Sequence, residues 1–362
     1  MVNSAKGIPR EGRAIQMSTL IVLLDGAADE RIPELGDQTP LQALDKRFID
    51  SVASNGRLGC TDARGYTHLF MLEFLSGRGM NVPRGIIEAL GYGVKLEEGE
   101  VAYRLSPASL EDHHVRWEYG LACEQDAKLR LMAKRSLASI SSLHPRMQFY
   151  APGKGILTVR SDNVEDLPAP PSPVDLKRAD FGELDPFISA MRPQNGKMVV
   201  MPWGGGKLDR HVDRSPLAST KDLVFFSKSP SVNGVAAFFG LENHEVSNYH
   251  EGFKMSLPRL KTGNVFLHVE ETDDISHRRE PMKKVQMLED IDQMLGSASK
   301  KLKGHRIAFI VDHGTSSITG EHMVMKVPFA VGEAGPGKPA KKFVETAEGH
   351  VPLGMLLDSL LS

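Results

Sequence analysis

The sequence predicts an α/β protein whose central sheet is mostly parallel, and three observations predict it. Ser18 to Leu24, Asn264 to Val269 and Arg306 to Val311 are short, continuous apolar runs of the kind that form strands buried on both faces. Each run ends in acidic or imidazole side chains: Asp25 before Gly26, then Glu270, Glu271 and Asp273, then the pair Asp312-His313. Helical patterns alternate with the runs, which is βα repetition, and in such sheets ligands bind at the C-terminal edge of the strands.

The elements justify themselves in chain order. Residues 1 to 16 are polar, lack the apolar centre of a signal peptide and precede Met17, so they read as a mobile extension or a start-site artefact. Leu223 to Ser227 is a further strand, with a helix expected from Ser231. Gln286 to Leu295 places Met287, Leu288, Ile291, Met294 and Leu295 at a 3-4 spacing, so one face of a helix meets a core. The stretch from about 103 to 200 differs. It holds a basic helical pattern near 124 to 140, the strand-like Gly155 to Val159 and the proline-rich Leu167 to Val174. That change predicts an inserted α+β lid domain at 103–200, carried by a core of 17–102 plus 201–362.

Composition narrows the partners. A chain of 362 residues is long enough for one large domain with an insertion, or for two domains. With 41% hydrophobic and 25% charged residues it reads as globular, and no apolar run nears the roughly 20 residues of a membrane span. A net charge of -2 without a basic stripe excludes a nucleic-acid backbone as the natural partner and points to a small ligand. Cys60 and Cys123 stand apart, so neither a disulfide framework nor a thiolate zinc site is expected, and a reducing cytoplasm fits.

The chemistry lies at the strand ends. Asp273 and His277 are four apart and meet one ion if the segment is helical; Asp312 and His313 are adjacent, and His322 follows nine later. Carboxylate oxygen with imidazole nitrogen is a ligand set for zinc or manganese. An Asp-His pair at a strand end suits two neighbouring ions, which together can activate a nucleophile and clamp an in-line phosphoryl displacement.

The order of these pieces resembles the alkaline phosphatase superfamily: a strand then Asp25-Gly26, Thr272 to His277 (TDDISH), Val311 to Thr315 (VDHGT), and Gly320 to Pro328 (GEHMVMKVP). Within it, the archaeal type of cofactor-independent phosphoglycerate mutase is most similar, through residues 32 to 43, 84 to 94 and 98 to 104. The resemblance implies an alkaline phosphatase-like sandwich. It also implies one metal on Asp273, His277 and His322, and a second on Asp25, Asp312 and His313 with the nucleophile's oxygen.

Where that family has Gly-Ser-Asp before a helix, this chain reads Arg64-Gly65-Tyr66-Thr67-His68. Thr67 is the candidate nucleophile and a further metal ligand, as in related threonine-dependent phosphodiesterases and phosphonate hydrolases. Alignment on His68 would instead put Arg64 at the serine position. The family's substrate-surrounding motifs are also replaced, by the proline-rich stretch and by Trp203 followed by Gly204 to Gly206. That glycine run reads as a flexible turn or as an approach for backbone amides to an anion. Arg64, Arg78, Arg84, Lys207, Arg210 and His211 are candidate phosphate contacts. The expected activity is two-metal phosphoryl transfer on a small phosphorylated or phosphonate metabolite, as a mutase or as a hydrolase; a catalytically silent metal-binding relative is the remaining reading.

Overall fold

Strands with no polar face must be covered on both sides, and this requirement organises the chain. The computed structural model describes residues 17–111, 114–165, 167, 169, 181–191, 198–333 and 339–362. The extension at 1 to 16, and all of Leu167 to Val174 except Leu167 and Ala169, lie outside the described residues.

The central sheet has seven strands. Arg306–Ile310, Thr19–Leu24, Asn264–Val269, Leu223–Ser227 and Asn243–Glu245 are parallel neighbours in that order. On the Arg306 side Lys326–Gly332 pairs antiparallel with Arg306–Ile310, and Arg57–Asp62 pairs antiparallel with Lys326–Gly332. Along Thr19–Leu24 successive side chains alternate between faces. Ile21 and Leu23 join the layer of helices Thr67–Ser76, Arg84–Gly91, Pro230–Phe238 and Leu353–Leu361. Leu20, Val22 and Leu24 join the layer of Arg47–Ser54, Tyr249–Arg259 and Pro281–Ser297. Each such fully buried aliphatic side chain stabilises the fold by about 1.5–3 kcal/mol, so the strands are fixed and their C-terminal ends with them.

A second sheet is antiparallel. Its strand Glu100–Glu111 pairs with His114–Trp117, Lys154–Arg160 and Met198–Lys207, and Arg146–Ala151 pairs with Lys154–Arg160. The predicted basic helix is Cys123–Ser136, continued by a 3-10 segment Leu137–Leu143. Its core, with Tyr103, Trp117, Phe187 and Trp203, is separate from the two layers of the central sheet.

The glycine run is neither a turn nor an open amide loop. Gly204 to Gly206 lie within the strand Met198–Lys207. A Cβ at Gly204 would stand 2.9 Å from the Arg84 Cβ, at Gly205 2.2 Å from the Tyr103 ring and at Gly206 2.2 Å from Pro83. The glycines are there because these side chains occupy the space.

Among the described residues no helix is long and apolar enough to cross a membrane. Cys60 is a buried free thiol and Cys123 an exposed one.

Candidate metal centre

The strand Thr19–Leu24 ends by turning Asp25 into the interior, where it is 3% exposed, and Gly26 makes that turn at φ +60°. Only a residue without Cβ fits, because a Cβ there would lie 2.5 Å from Asp273 Oδ1 and 2.6 Å from Thr315 Oγ1. The Gly26 N–H donates to Asp312 Oδ1 at 3.2 Å. Asp312 and His313 follow the strand Arg306–Ile310 and are fully buried.

After the strand Asn264–Val269 the chain turns at once into the helix Glu271–His277, so Asp273 and His277 share one face a turn apart. His277 Nε2 lies 3.1 Å from Asp273 Oδ2. His322 arrives by a short antiparallel ladder, His322–Met323 against Gly314–Thr315, which pairs it with Thr315 and stacks its ring 4.2 Å from that of His313. His277 Nδ1 donates to the Gly320 carbonyl and His322 Nδ1 to that of Gly65, which fixes both tautomers and leaves each Nε2 as an acceptor. The two Nε2 atoms face each other at 3.2 Å. Two lone pairs and a carboxylate converging on one point fit a cation.

The ligand atoms form two groups, each within 4.8 Å: Asp273, His277 and His322, and Asp25, Asp273 and His313. The first is the set expected from the sequence. The second has Asp273 where Asp312 was expected, so this carboxylate serves both groups. Asp312 stays beside it, fully buried, and its Oδ2, 3.5 Å from His313 Nε2, has no hydrogen-bond donor among the described residues. An orphaned buried carboxylate oxygen is costly unless a cation faces it, so the residues present fit a second ion.

The electrostatics point the same way. Burial opposes the charged form of Asp25, yet hydrogen bonds from His268 and His313 hold its carboxyl well below the usual range. Burial, with Asp25 beside it, pushes Asp312 up to about 7. Burial would lower His313, but Asp312 and Asp25 raise it to about 10; burial and then His313 drive His322 down to about 4. Within the cluster two acids and two imidazoles are thus each shifted in opposite directions by burial and by one another.

Thr67 is the first residue of the helix Thr67–Ser76, and Tyr66 is its cap. Its hydroxyl is directed not at the helix but into the cluster, 3.2 Å from Asp25 Oδ1 and 3.4 Å from His313 Nε2. Arg64 pairs with Glu73 at 2.7 Å.

A cleft of about 810 Å³, open to solvent, lies over these groups and is lined by Asp25, Thr67, Asp273, His277 and His322. Of the six basic residues expected to contact phosphate, only Arg84 lines it. Arg64 is held by Glu73, Arg78 pairs with Asp213 at 2.7 Å, Lys207 donates to the Asp162 carbonyl, Arg210 lies 4.0 Å from Glu98, and His211 is exposed. The partners that hold the first four, Glu73, Asp213, Asp162 and Glu98, are themselves outside the cleft lining.

Several residues in or beneath the cleft escaped the sequence reading. His268, inside an apolar strand, holds Asp25 Oδ2 at 2.8 Å and Ser227 Oγ at 2.8 Å. Arg104, Trp117, Tyr119 and Lys154 come from the second sheet and its adjoining loop, and Tyr119 stacks face to face on His277 at 4.4 Å. A histidine interrupting an apolar run was the one visible signal.

Comparison with known proteins agrees with this geometry. Residues 226–350 match a family model described as the metalloenzyme superfamily, a span that contains Asp273, His277, Asp312, His313 and His322. A 2,3-bisphosphoglycerate-independent phosphoglycerate mutase of Methanopyrus kandleri is 22% identical over 94% of this chain and 93% of its own length. One from Methanothermobacter thermautotrophicus is 26% identical over 94% of both. Among solved structures, the PH0037 protein of Pyrococcus horikoshii superposes with a TM-score of 0.67 at 20% identity over 96% of this chain and 97% of that one. The cofactor-independent phosphoglycerate mutase of Thermoplasma acidophilum gives 0.54 at 18% identity over 95% and 99%. All of the strand-end ligand array except Asp25 thus lies inside the span that matches the metalloenzyme superfamily model, and the chain is similar nearly end to end to archaeal cofactor-independent phosphoglycerate mutases.

Proposed function

We propose that the chain is a two-metal, phosphoglycerate mutase-like phosphoryl-transfer enzyme acting on a small phosphorylated metabolite, with Thr67 as nucleophile. Asp273, His277 and His322 would hold one divalent ion, manganese or zinc, and Asp25, Asp312 and His313 with the Thr67 oxygen the other, Asp273 being placed to reach both. Such ions, when bound, supply the positive charge that makes a hydroxyl acidic and offsets charge on a transferring phosphoryl group. The observation that carries the reading is the Thr67 hydroxyl, turned away from its helix and set 3.2 Å from Asp25 and 3.4 Å from His313.

In the proposed reaction the Thr67 hydroxyl loses its proton to solvent in the open cleft as its oxygen bonds to phosphorus, and the bond from phosphorus to the leaving oxygen breaks, that oxygen taking up a proton from solvent. The free amides at the start of the helix Thr67–Ser76 favour the anion being transferred. The group then passes from Thr67 to a second hydroxyl in a mutase, or to water in a hydrolase. Residues 103 to 200 are proposed as the lid, since they carry Arg104, Ser106, Trp117, Tyr119 and Lys154 to the cleft. Hydrolysis of a monoester or phosphonate is the second reading. It is favoured by the aromatic walls, Tyr66, Trp117, Tyr119 and Trp203, which offer more apolar surface than a small polyol acid requires.

With manganese- or zinc-loaded protein, 3-phosphoglycerate, p-nitrophenyl phosphate and phosphonoacetate separate the readings by product: an isomer, or free phosphate. Thr67→Ala should abolish turnover with metal content retained, and Thr67→Ser should keep part of it. Turnover by Thr67→Ala at the parent rate would remove Thr67 from the mechanism, and no turnover by the parent would favour the silent relative.

A further inference from the structure

We propose that Glu88 is a positioning residue that holds Arg84 and Arg104 side by side as one guanidinium subsite for an anionic group of the substrate. This rests on the phosphoryl-transfer reading above. Glu88, 1% exposed, lies one turn after Arg84 on the helix Arg84–Gly91. Its Oε1 accepts from Arg84 Nε at 2.6 Å and from Arg104 Nη1, and its Oε2 accepts from the Tyr150 hydroxyl. One carboxylate therefore gathers groups from three elements, and both arginines line the cleft that contains Thr67 and the candidate ligands.

The two guanidiniums are held in orientation as well as in place. Arg84 Nη1 contacts His68 Nδ1 at 3.0 Å, the residue next to Thr67. Arg104 Nε donates to Ser106 Oγ at 3.2 Å, the same hydroxyl that accepts from Trp203 Nε1, and the Trp203 ring lies 5.1 Å from the Arg104 Cζ. Among the described residues neither Nη2 makes a hydrogen bond, so each fork keeps donors for a ligand. Planar forks of this kind match carboxylate or phosphate oxygens.

Electrostatics keep both forks tied to Glu88. Burial would raise the Glu88 carboxyl, but Arg104 and Arg84 keep it below its usual value, so it is ionised. Burial, then Arg84 and Arg104, hold His68 well below the usual imidazole value, and burial pushes the Tyr150 phenol well above its own. Glu270, which lines the same cleft, also acts on Arg104. Asp274 has Lys228 at 2.9 Å and Lys154 at 4.0 Å. The guanidinium donors that Glu88, His68 and Ser106 do not take are those an anion entering the cleft can meet. A purely structural Glu88 would tie the helix to the second sheet and leave affinity untouched.

The test measures calorimetric binding of inorganic phosphate and of 3-phosphoglycerate to manganese-loaded parent, Glu88→Gln and Arg104→Met, with metal content and melting temperature followed in each, and KM and kcat where a substrate turns over. The expected result is a roughly 10- to 100-fold loss of affinity in each variant at unchanged metal content, read as KM more than kcat. If the arginines take the phosphoryl group, both probes lose affinity; if they take a carboxylate, 3-phosphoglycerate alone does. Arg104→Lys, which keeps the charge beside Glu88, should restore part of the loss and reads the subsite should Glu88→Gln fail to fold. Parent-like affinity for both probes in metal-replete Glu88→Gln and Arg104→Met overturns the assignment, as does a loss that only follows lost metal or lost fold. If the parent binds neither probe, the phosphoryl-transfer reading itself has failed.

Discussion

Gly26→Ala is a substitution of one methyl group whose effect can be worked out from the structure. The residue sits at φ +60°, where an L side chain costs about 1–2 kcal/mol before any contact is considered. The new Cβ would meet Asp273 Oδ1 at 2.5 Å, so that oxygen must withdraw by about 0.9 Å to reach ordinary contact at 3.4 Å. Thr315 Oγ1, 2.6 Å from the same Cβ and 2.6 Å from Asp273 Oδ1, blocks one route of withdrawal. Metal–ligand distances tolerate only about 0.2 Å, and Asp273 belongs to both ligand groups, so both should weaken together. The expected result is a fall of roughly 100-fold or more in manganese or zinc affinity, against the 10–100-fold typical of losing a ligand's supporting partner. Stability measured in chelator should fall by only a few degrees. Calorimetric titration of metal into chelator-stripped protein, paired with a thermal melt, separates the two effects. Parent-like affinity for both ions in a folded Gly26→Ala protein would refute the shared role given to Asp273.

Two further outcomes follow from buried polar groups. His268→Leu removes both bonds that fix the ring between Asp25 and Ser227; metal affinity should drop about 10–100-fold while the sheet persists, and unchanged titration curves would exclude a supporting role for His268. Lys284, fully buried and 2.9 Å from the equally buried Asp29, should cost about 3–5 kcal/mol in denaturant unfolding when changed to Ala, because the buried Asp29 loses its paired cation and keeps, among the described residues, only the Ser317 and Glu30 donors; a cost under 1 kcal/mol would show that water reaches the site.

The sequence was most informative where physics is local. A strand buried on both faces is written as an unbroken apolar run, so Thr19–Leu24, Leu223–Ser227 and Asn264–Val269 could be placed to within a residue or two, and the residues after them could be placed at the ligand edge. A four-residue spacing became one helical face as soon as Glu271–His277 formed, which is why Asp273 and His277 were legible as a pair. His322 was legible only through motif order, since its approach depends on a two-residue ladder too short to read from periodicity. The glycine run misled because glycine is informative about space as well as about turns: Gly205 lies in a strand with the Tyr103 ring where its side chain would be.

What the sequence could not supply is the cleft, because its walls are made by side chains that meet across distant segments. A surface arginine and a cleft arginine have the same local signature. Arg64 and Arg84 both stand beside glycines, yet Arg64 turns to Glu73 and Arg84 to Glu88, and only the second carboxylate is itself buried under another sheet. The i,i+4 relation of Arg84 and Glu88 was visible and would ordinarily mark a solvent-exposed helix pair worth a few tenths of a kcal/mol. Arg104 and Tyr150 change its meaning, because they arrive from strands of the second sheet and bond to the same carboxylate. An ion pair on a helix surface thereby becomes a charged wall, and that conversion depends on packing between sheets, which no window of sequence contains.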